Sequence, residues 1–287
     1  MANNIEVFKA YAPMLDEVYA AACLTAVLDG DPLLARFGNA ANELVIPKLS
    51  MSGLADYDRV TGYANGDVTL TNETVRCDYD RGRMFQVDTL DDMETAAVAY
   101  GRLSSEFIRT KVAPELDAWR FATYAGRQGI GKATGTLSAG EAVIGALRTA
   151  HAEMDDAEVP SEGRVLFITA ALKGLVDDMD TTSSRAAMEL ASQIVVVPRS
   201  RFYTAITLLN DGYAKRAASG SVTAGQDINF MLVHPDAVIQ FQKHVSPKVV
   251  TPEQNQDADA WKFGYRTVGI ADVYENKLKG IYCHSKA

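Results

Sequence analysis

Between Asp67 and Asp88 the chain reads DVTLTNETVRCDYDRGRMFQVD. Val68 and Leu70 alternate with Thr69 and Thr71, and Val75, Cys77 and Tyr79 alternate with Arg76 and Asp78. A period of two places successive side chains on opposite faces of a strand, so the stretch predicts a long two-stranded ribbon. This constrains the fold, because a ribbon polar on both faces cannot be central to a core, and an isolated hairpin is marginal in water. It needs a surface to lie against. The pattern alone leaves two open: its own domain, or a neighbouring subunit.

The flanking segments supply the rest of the architecture. From Pro13 to about Leu28 the residues Leu15, Val18, Tyr19, Ala22 and Ala26 recur at helical spacing, which predicts an amphipathic helix outside the main core. ELVIPKL (43–49) reads as a strand, followed by a polar stretch holding Gly53, Gly62 and Gly66. From Leu90 to Ala125 a broad stripe of Tyr100, Leu103, Phe107, Val112, Leu116, Trp119 and Ala122 predicts a long helix that Pro114 kinks or divides. At 1.5 Å per residue it would run on the order of 50 Å, a spine longer than a compact domain needs. SAGE sets Ser138 as N-cap and Glu141 in capping-box spacing for the next helix, through Val143, Ile144, Leu147 and His151.

RVLFIT (164–169), IVVVP (194–198) and INFMLV (228–233) read as strands buried on both faces, with helical patterns at Ala170–Asp178 and Pro235–His244. The middle of the chain is therefore α/β in character. At the end, Tyr274, Leu278 and Tyr282 fall opposite Glu275, Lys277 and Lys279, which predicts a half-exposed edge strand blunted by lysines.

Bulk properties exclude several functions. The 287 residues, 47% of them hydrophobic, support one large domain or two modest ones. A formal net charge of −9 argues against a protein that grips nucleic acid through clustered Lys and Arg. Cys23, Cys77 and Cys283 are odd in number and widely spaced, neither a disulfide framework nor a zinc site. The N-terminal apolar run is broken by Asp16 and Glu17 and preceded by a single lysine, Lys9, a poor signal peptide, and no apolar run is long enough to cross a membrane.

Four motifs bear on chemistry. GRQGIGKAT (126–134) falls one position short of a phosphate-binding loop: Gly126, Gly131 and Lys132 fit, but Ala133 occupies the magnesium-binding hydroxyl position. A phosphate loop must follow a buried strand and open into a helix, whereas Gly126 follows a helical pattern; Gly126 is expected as a left-handed C-cap in a connecting loop. DMDTT (178–182) matches an aspartyl-phosphate motif with Asp178 as nucleophile, yet it ends a helical pattern and is expected as a solvated turn. Asp78, Asp80, Asp88, Asp91 and Asp92 are interleaved with Arg76, Arg81 and Arg83, the appearance of a surface ion-pair ladder; Asp91 and Asp92 also suit a helix start. His151, His234, His244 and His284 share no ligand spacing. No catalytic, cofactor-binding or metal-binding residue is expected.

Taken in order, DRGRMFQVDTLDDMETA, EFIRTKVAPELDAWRF, RFYTAI, INFMLVHPDAV and TPEQNQDADAWKFGYRTVGIADVYENKLKGIY resemble segments of tailed-phage major capsid proteins, of the kind found in phages and prophages of Gram-positive bacteria. The resemblance covers nearly the whole chain. It implies an α+β Hong Kong 97-like fold: an N-terminal arm (1–42), an extended hairpin loop (43–88) lying over an adjacent subunit, a peripheral domain with the spine helix (89–135), an axial α/β domain (136–258), and return strands (259–287). It thereby decides the ribbon in favour of an intersubunit arm.

A non-enzymatic shell subunit is implied, with itself, portal, scaffolding and decoration proteins as partners, and double-stranded DNA enclosed without sequence-specific binding. An encapsulin-like nanocompartment shell, or a phosphate-handling enzyme built on Lys132 or Asp178, are the alternatives. Some members cross-link Lys to Asn between subunits; Lys48 lies near the ribbon, but the three-residue site has no match, so no cross-link is expected. Only about a dozen residues precede the expected first helix, so a removable scaffolding segment is not expected unless the chain is already processed, and scaffolding is expected from a separate protein.

Overall fold

A computed structural model of the protein describes residues 23–30, 36–37, 43–57, 59–60, 62–63, 65–89, 106–215 and 225–287. The strands are β1 (Arg36–Phe37), β2 (Glu43–Met51), β3 (Val68–Arg76), β4 (Tyr79–Asp88), β5 (Gly131–Thr134), β6 (Val165–Thr169), β7 (Gln193–Val197), β8 (Thr207–Leu209), β9 (Gly212–Ala214), β10 (Ile228–Val233), β11 (Val238–Val250), β12 (Ala260–Val273) and β13 (Ile281–Ser285). The α-helices are α1 (Ala113–Gly126), α2 (Gly140–Asp156), α3 (Ala170–Asp177) and α4 (Thr182–Glu189).

A five-stranded sheet, ordered β5-β13-β10-β6-β7, forms the centre. Its alternate side chains serve two cores. Leu166, Ile168, Phe230 and Leu232 meet α2, α3 and α4 through Val143, Leu147, Leu172 and Ala187. On the other side Phe167 and Met231 meet α1 through Phe121 and Tyr124, with the Phe121 and Phe167 rings edge to face at 5.1 Å. Burial on both faces is why β6 and β10 read as continuous apolar runs. β7 is an edge strand, so Gln193 and Val196 are exposed, against the expectation that it too is buried on both faces.

A second sheet, β11-β12-β4, rests on α1 and the turn before it. Tyr79, Phe263 and Tyr265 pack against Ile108, Val112 and Leu116. The kink expected at Pro114 is a five-residue π turn, Ile108–Val112, with Pro114 in the first turn of α1. Proline has no N–H to donate, and the wider turn shifts the hydrogen-bond register around that gap. The N-terminal half of the expected long helix lies outside the described residues.

The alternating run of 67–88 is not one ribbon. It divides at Cys77: β3 pairs with β2, from Glu43↔Arg76 to Met51↔Val68, while β4 pairs with β12. Alternation reports that a segment is a strand and says nothing about its partner. The projecting ribbon is thus β2–β3, joined through residues 52–67.

Other expectations shift as well. Pro235–His244 is not helical; a single 3-10 turn, Pro235–Ala237, leads into the long strand β11. Ser138 is not an N-cap: α2 begins at Gly140 after Ala139, with no side-chain cap. Gly140 is needed there because a Cβ would lie 2.4 Å from the Leu175 carbonyl oxygen. Glu275–Gly280 is a 3-10 segment rather than an edge strand, and Tyr282 lies in β13, wholly buried within the sheet. Leu24–Leu28 is a 3-10 turn whose Leu28 joins the central core, so this end of the expected N-terminal helix is inside; residues 1–22 lie outside the described residues.

β11, within 136–258, belongs to the sheet on α1, and β13, within 259–287, belongs to the central sheet.

Candidate functional site

Among the described residues, none of the sequence motifs assembles into a reaction centre. α1 ends at Gly126, and the left-handed residue is Gly129, with φ 89°, not Gly126. Gly131–Thr134 is strand β5, parallel to β13 with Lys132 opposite Cys283, so the expected loop is half strand. Gly131 is required by packing: a Cβ there would lie 2.6 Å from the Tyr282 ring. Lys132 is exposed on an edge strand and no helix opens from it, so no anion cradle forms.

Asp178 is the exposed C-cap of α3. The TTSSR segment after it is the start of α4 rather than a loop, where Thr181 and Ser184 exchange side-chain and backbone hydrogen bonds at 3.1 Å. Three members of the acidic–basic ladder pair with side chains outside it. Arg81 binds Glu115 at 2.8 Å, Arg83 binds Asp211 at 2.9 Å, and Asp80 binds Arg266 at 2.6 Å. Asp91 and Asp92 lie outside the described residues. The Arg81–Glu115 and Arg83–Asp211 pairs rim an open groove of about 1110 Å³ between β4, the π turn and the β8–β9 hairpin, and hold its walls together. His151 contacts Arg164 at 3.2 Å, His284 contacts Asn229 at 3.0 Å, and His234 accepts from the Asp236 N–H at 3.3 Å. No group of three metal-ligating side chains exists among the described residues.

One buried polar cluster was not legible as such. Asp117, fully buried, accepts from the Thr25 hydroxyl at 2.8 Å, the Thr25 N–H at 3.1 Å, the Leu24 N–H at 3.1 Å and Arg201 at 3.1 Å. Arg120, also buried, donates to the Thr25 hydroxyl at 2.8 Å and pairs with Asp29 at 3.3 Å. Gln240 on β11 donates to the Thr25 carbonyl at 2.6 Å and accepts from Tyr124 at 2.6 Å. Burial and the nearby Asp117 carboxylate push the Cys23 thiol up to about 12. The cluster ties residues 23–30 to α1. Its only sequence signal is a charged pair, Asp117 and Arg120, beside the apolar stripe of Leu116 and Trp119.

The exposed apolar surface lies elsewhere. Leu49, Leu54, Tyr57, Val60, Tyr63 and Leu70, all on the β2–β3 ribbon, are between 52% and 107% exposed. Tyr57 and Tyr63 meet edge to face at 4.9 Å near the tip. Burying side chains of this kind stabilises by roughly 1.5–3 kcal/mol each, so the ribbon carries on the order of 10 kcal/mol of unused association energy before ordering costs. Apolar exposure concentrated this way marks an interaction surface.

No family model and no curated protein matches the chain. Solved structures do. One from Mycobacterium phage Che8 aligns at TM-score 0.56 with 16% identity, over 85% of each chain. The asymmetric unit of the bacteriophage PhiM1 mature capsid aligns at 0.56 with 12% identity, over 87% of this chain and 83% of that one. The chain has the phage capsid fold. A virus-like particle from Pyrococcus furiosus shares that capsid fold, at TM-score 0.54 and 11% identity over 93% of this chain and 98% of that one. Within this capsid fold the mixed helix and sheet architecture expected from the resemblance is present.

Proposed function

We propose that this protein is a major capsid protein, which self-assembles into an icosahedral phage head enclosing double-stranded DNA. The observation that carries the reading is the ribbon: strands with no core of their own, exposing large apolar side chains, on a chain with the capsid fold. A hairpin too weak to stand alone becomes stable when each copy buries it on the next, and the summed interfaces then exceed the stability of one subunit.

In this reading the protein acts without a catalytic step. The net charge of −9 suits a container whose DNA stays mobile. Hexamers and pentamers of the chain would meet portal, scaffolding and decoration proteins, with assembly in the host cytoplasm and a final place in the virion. No helix among the described residues is long and apolar enough to cross a membrane. Electron microscopy of purified protein tests the reading: closed particles support it, and soluble monomers at high concentration oppose it.

A second reading, an encapsulin-like nanocompartment shell, is consistent with the match to the Pyrococcus furiosus virus-like particle chain. The contents of purified particles separate the two, as packaged double-stranded DNA or a protein cargo.

A further inference from the structure

Past residues 48 and 73 the described ribbon residues join none of the hydrophobic cores. Every described residue from Leu49 to Asn72 is exposed apart from half-buried Gly62. On the body side Val75 and Cys77 pack with Ile239, Phe241, Ile270 and Tyr274. The boundary between held and free ribbon is therefore sharp, and it falls where two charged side chains grip one residue.

Lys48 on β2 pairs with the Glu275 carboxylate at 2.7 Å. Glu73 on β3 accepts from the backbone N–H of that same Glu275. The register explains the geometry. Lys48 lies opposite Thr71 and Ile46 opposite Glu73, so Lys48 and Glu73 are diagonal neighbours on one ribbon face, the face that also carries buried Val75. Glu275 opens the 3-10 segment Glu275–Gly280, which leads directly into central strand β13. Arg127 and Asp272, paired with each other, complete the charge set around it.

We infer that Lys48, Glu73 and Glu275 form a latch at the root of the ribbon that sets the direction in which the apolar tip projects, and that they are positioning residues for assembly. The inference rests on the shell reading for its consequence, but the latch itself is a property of the single chain. With Lys48 reversed in charge, three carboxylates meet at the fulcrum and the ribbon swings on its Val75 anchor; the tip then no longer meets a second copy at a fixed angle.

The test uses spin labels at Leu54→Cys and Glu153→Cys in a Cys77→Ser background, with labelled chains diluted into excess unlabelled protein so that only distances within one chain are read. The unsubstituted latch and Lys48→Arg should give one narrow distance distribution. Lys48→Glu should broaden it about twofold, the signature of a released hinge, and lower the yield of closed particles about fivefold through like-charge repulsion at the latch. Lys48→Glu combined with Glu275→Lys should restore both readouts, a rescue that a merely structural role would not give. A Lys48→Glu distribution as narrow as the parent's, or a double substitution that fails to restore it, overturns the latch. Absence of particles from the unsubstituted chain overturns the shell reading and leaves the latch to be judged on the distances.

Discussion

The central sheet and the ribbon are both β-structure, yet they are stabilised in opposite ways. β6 and β10 bury side chains on both faces between helices, and their backbone groups are paired on both sides. The β2–β3 ribbon has ladder hydrogen bonds, exposed faces and no core beyond its root. The first region holds one chain together, whereas the second adds no core to the chain beyond its root. A substitution should therefore harm either folding or assembly, depending on which region it falls in.

The largest effects belong to the core. Phe230→Ala empties a fully buried site between the sheet and α2 and should cost about 3–5 kcal/mol of stability in denaturant unfolding. The clasp at Asp117 comes close to it. Asp117→Ala removes the shared acceptor of Arg201, the Thr25 hydroxyl and the Leu24 and Thr25 N–H groups, which should cost about 3–5 kcal/mol and remove hydrogen-exchange protection from residues 23–30. Tyr57→Ser with Tyr63→Ser should sharpen the contrast: unfolding changed by less than about 0.5 kcal/mol, as for ordinary surface substitutions, but particle formation lost. Core-like destabilisation by that pair would erase the distinction between the two regions.

Smaller effects probe single residues. Gly129→Ala forces a side chain into φ 89° with Leu278 at 3.0 Å, and should cost about 1 kcal/mol. Burial, and then the Arg164 charge, hold the His151 value below its ordinary one. A depressed value in the folded state means the associated stability is intact above the unfolded value of about 6.5 and is lost as pH falls below it. Denaturant midpoints at neutral and mildly acid pH should diverge in the parent and converge in His151→Gln. Cys23 and Cys283, both pushed up to about 12 by burial, should resist thiol reagents that label half-buried Cys77 first.

How much of this was legible in the sequence follows the same division. β6, β10 and α3 were readable because continuous burial or helical periodicity leaves a pattern within a few residues. What depended on a distant partner was not. The alternation of 67–88 is real on both sides of Cys77, but nothing local says that β3 belongs to β2 and β4 to β12. β11 was hidden because Val238, Ile239 and Phe241 serve two different cores, which blurs its period. The latch is further from reach, since Lys48 and Glu275 are 227 residues apart. The capsid fold was reached from resemblance of whole segments, and the structural matches at 16% identity and below agree with it.

The central claim is that copies of this chain join through the ribbon. Its most direct test is electron microscopy of the purified chain beside a version in which residues 52–67 are replaced by a two-residue turn. The account predicts closed particles from the first, and from the second folded subunits with an unchanged unfolding midpoint and no particles. Particles formed equally well without the tip would contradict it.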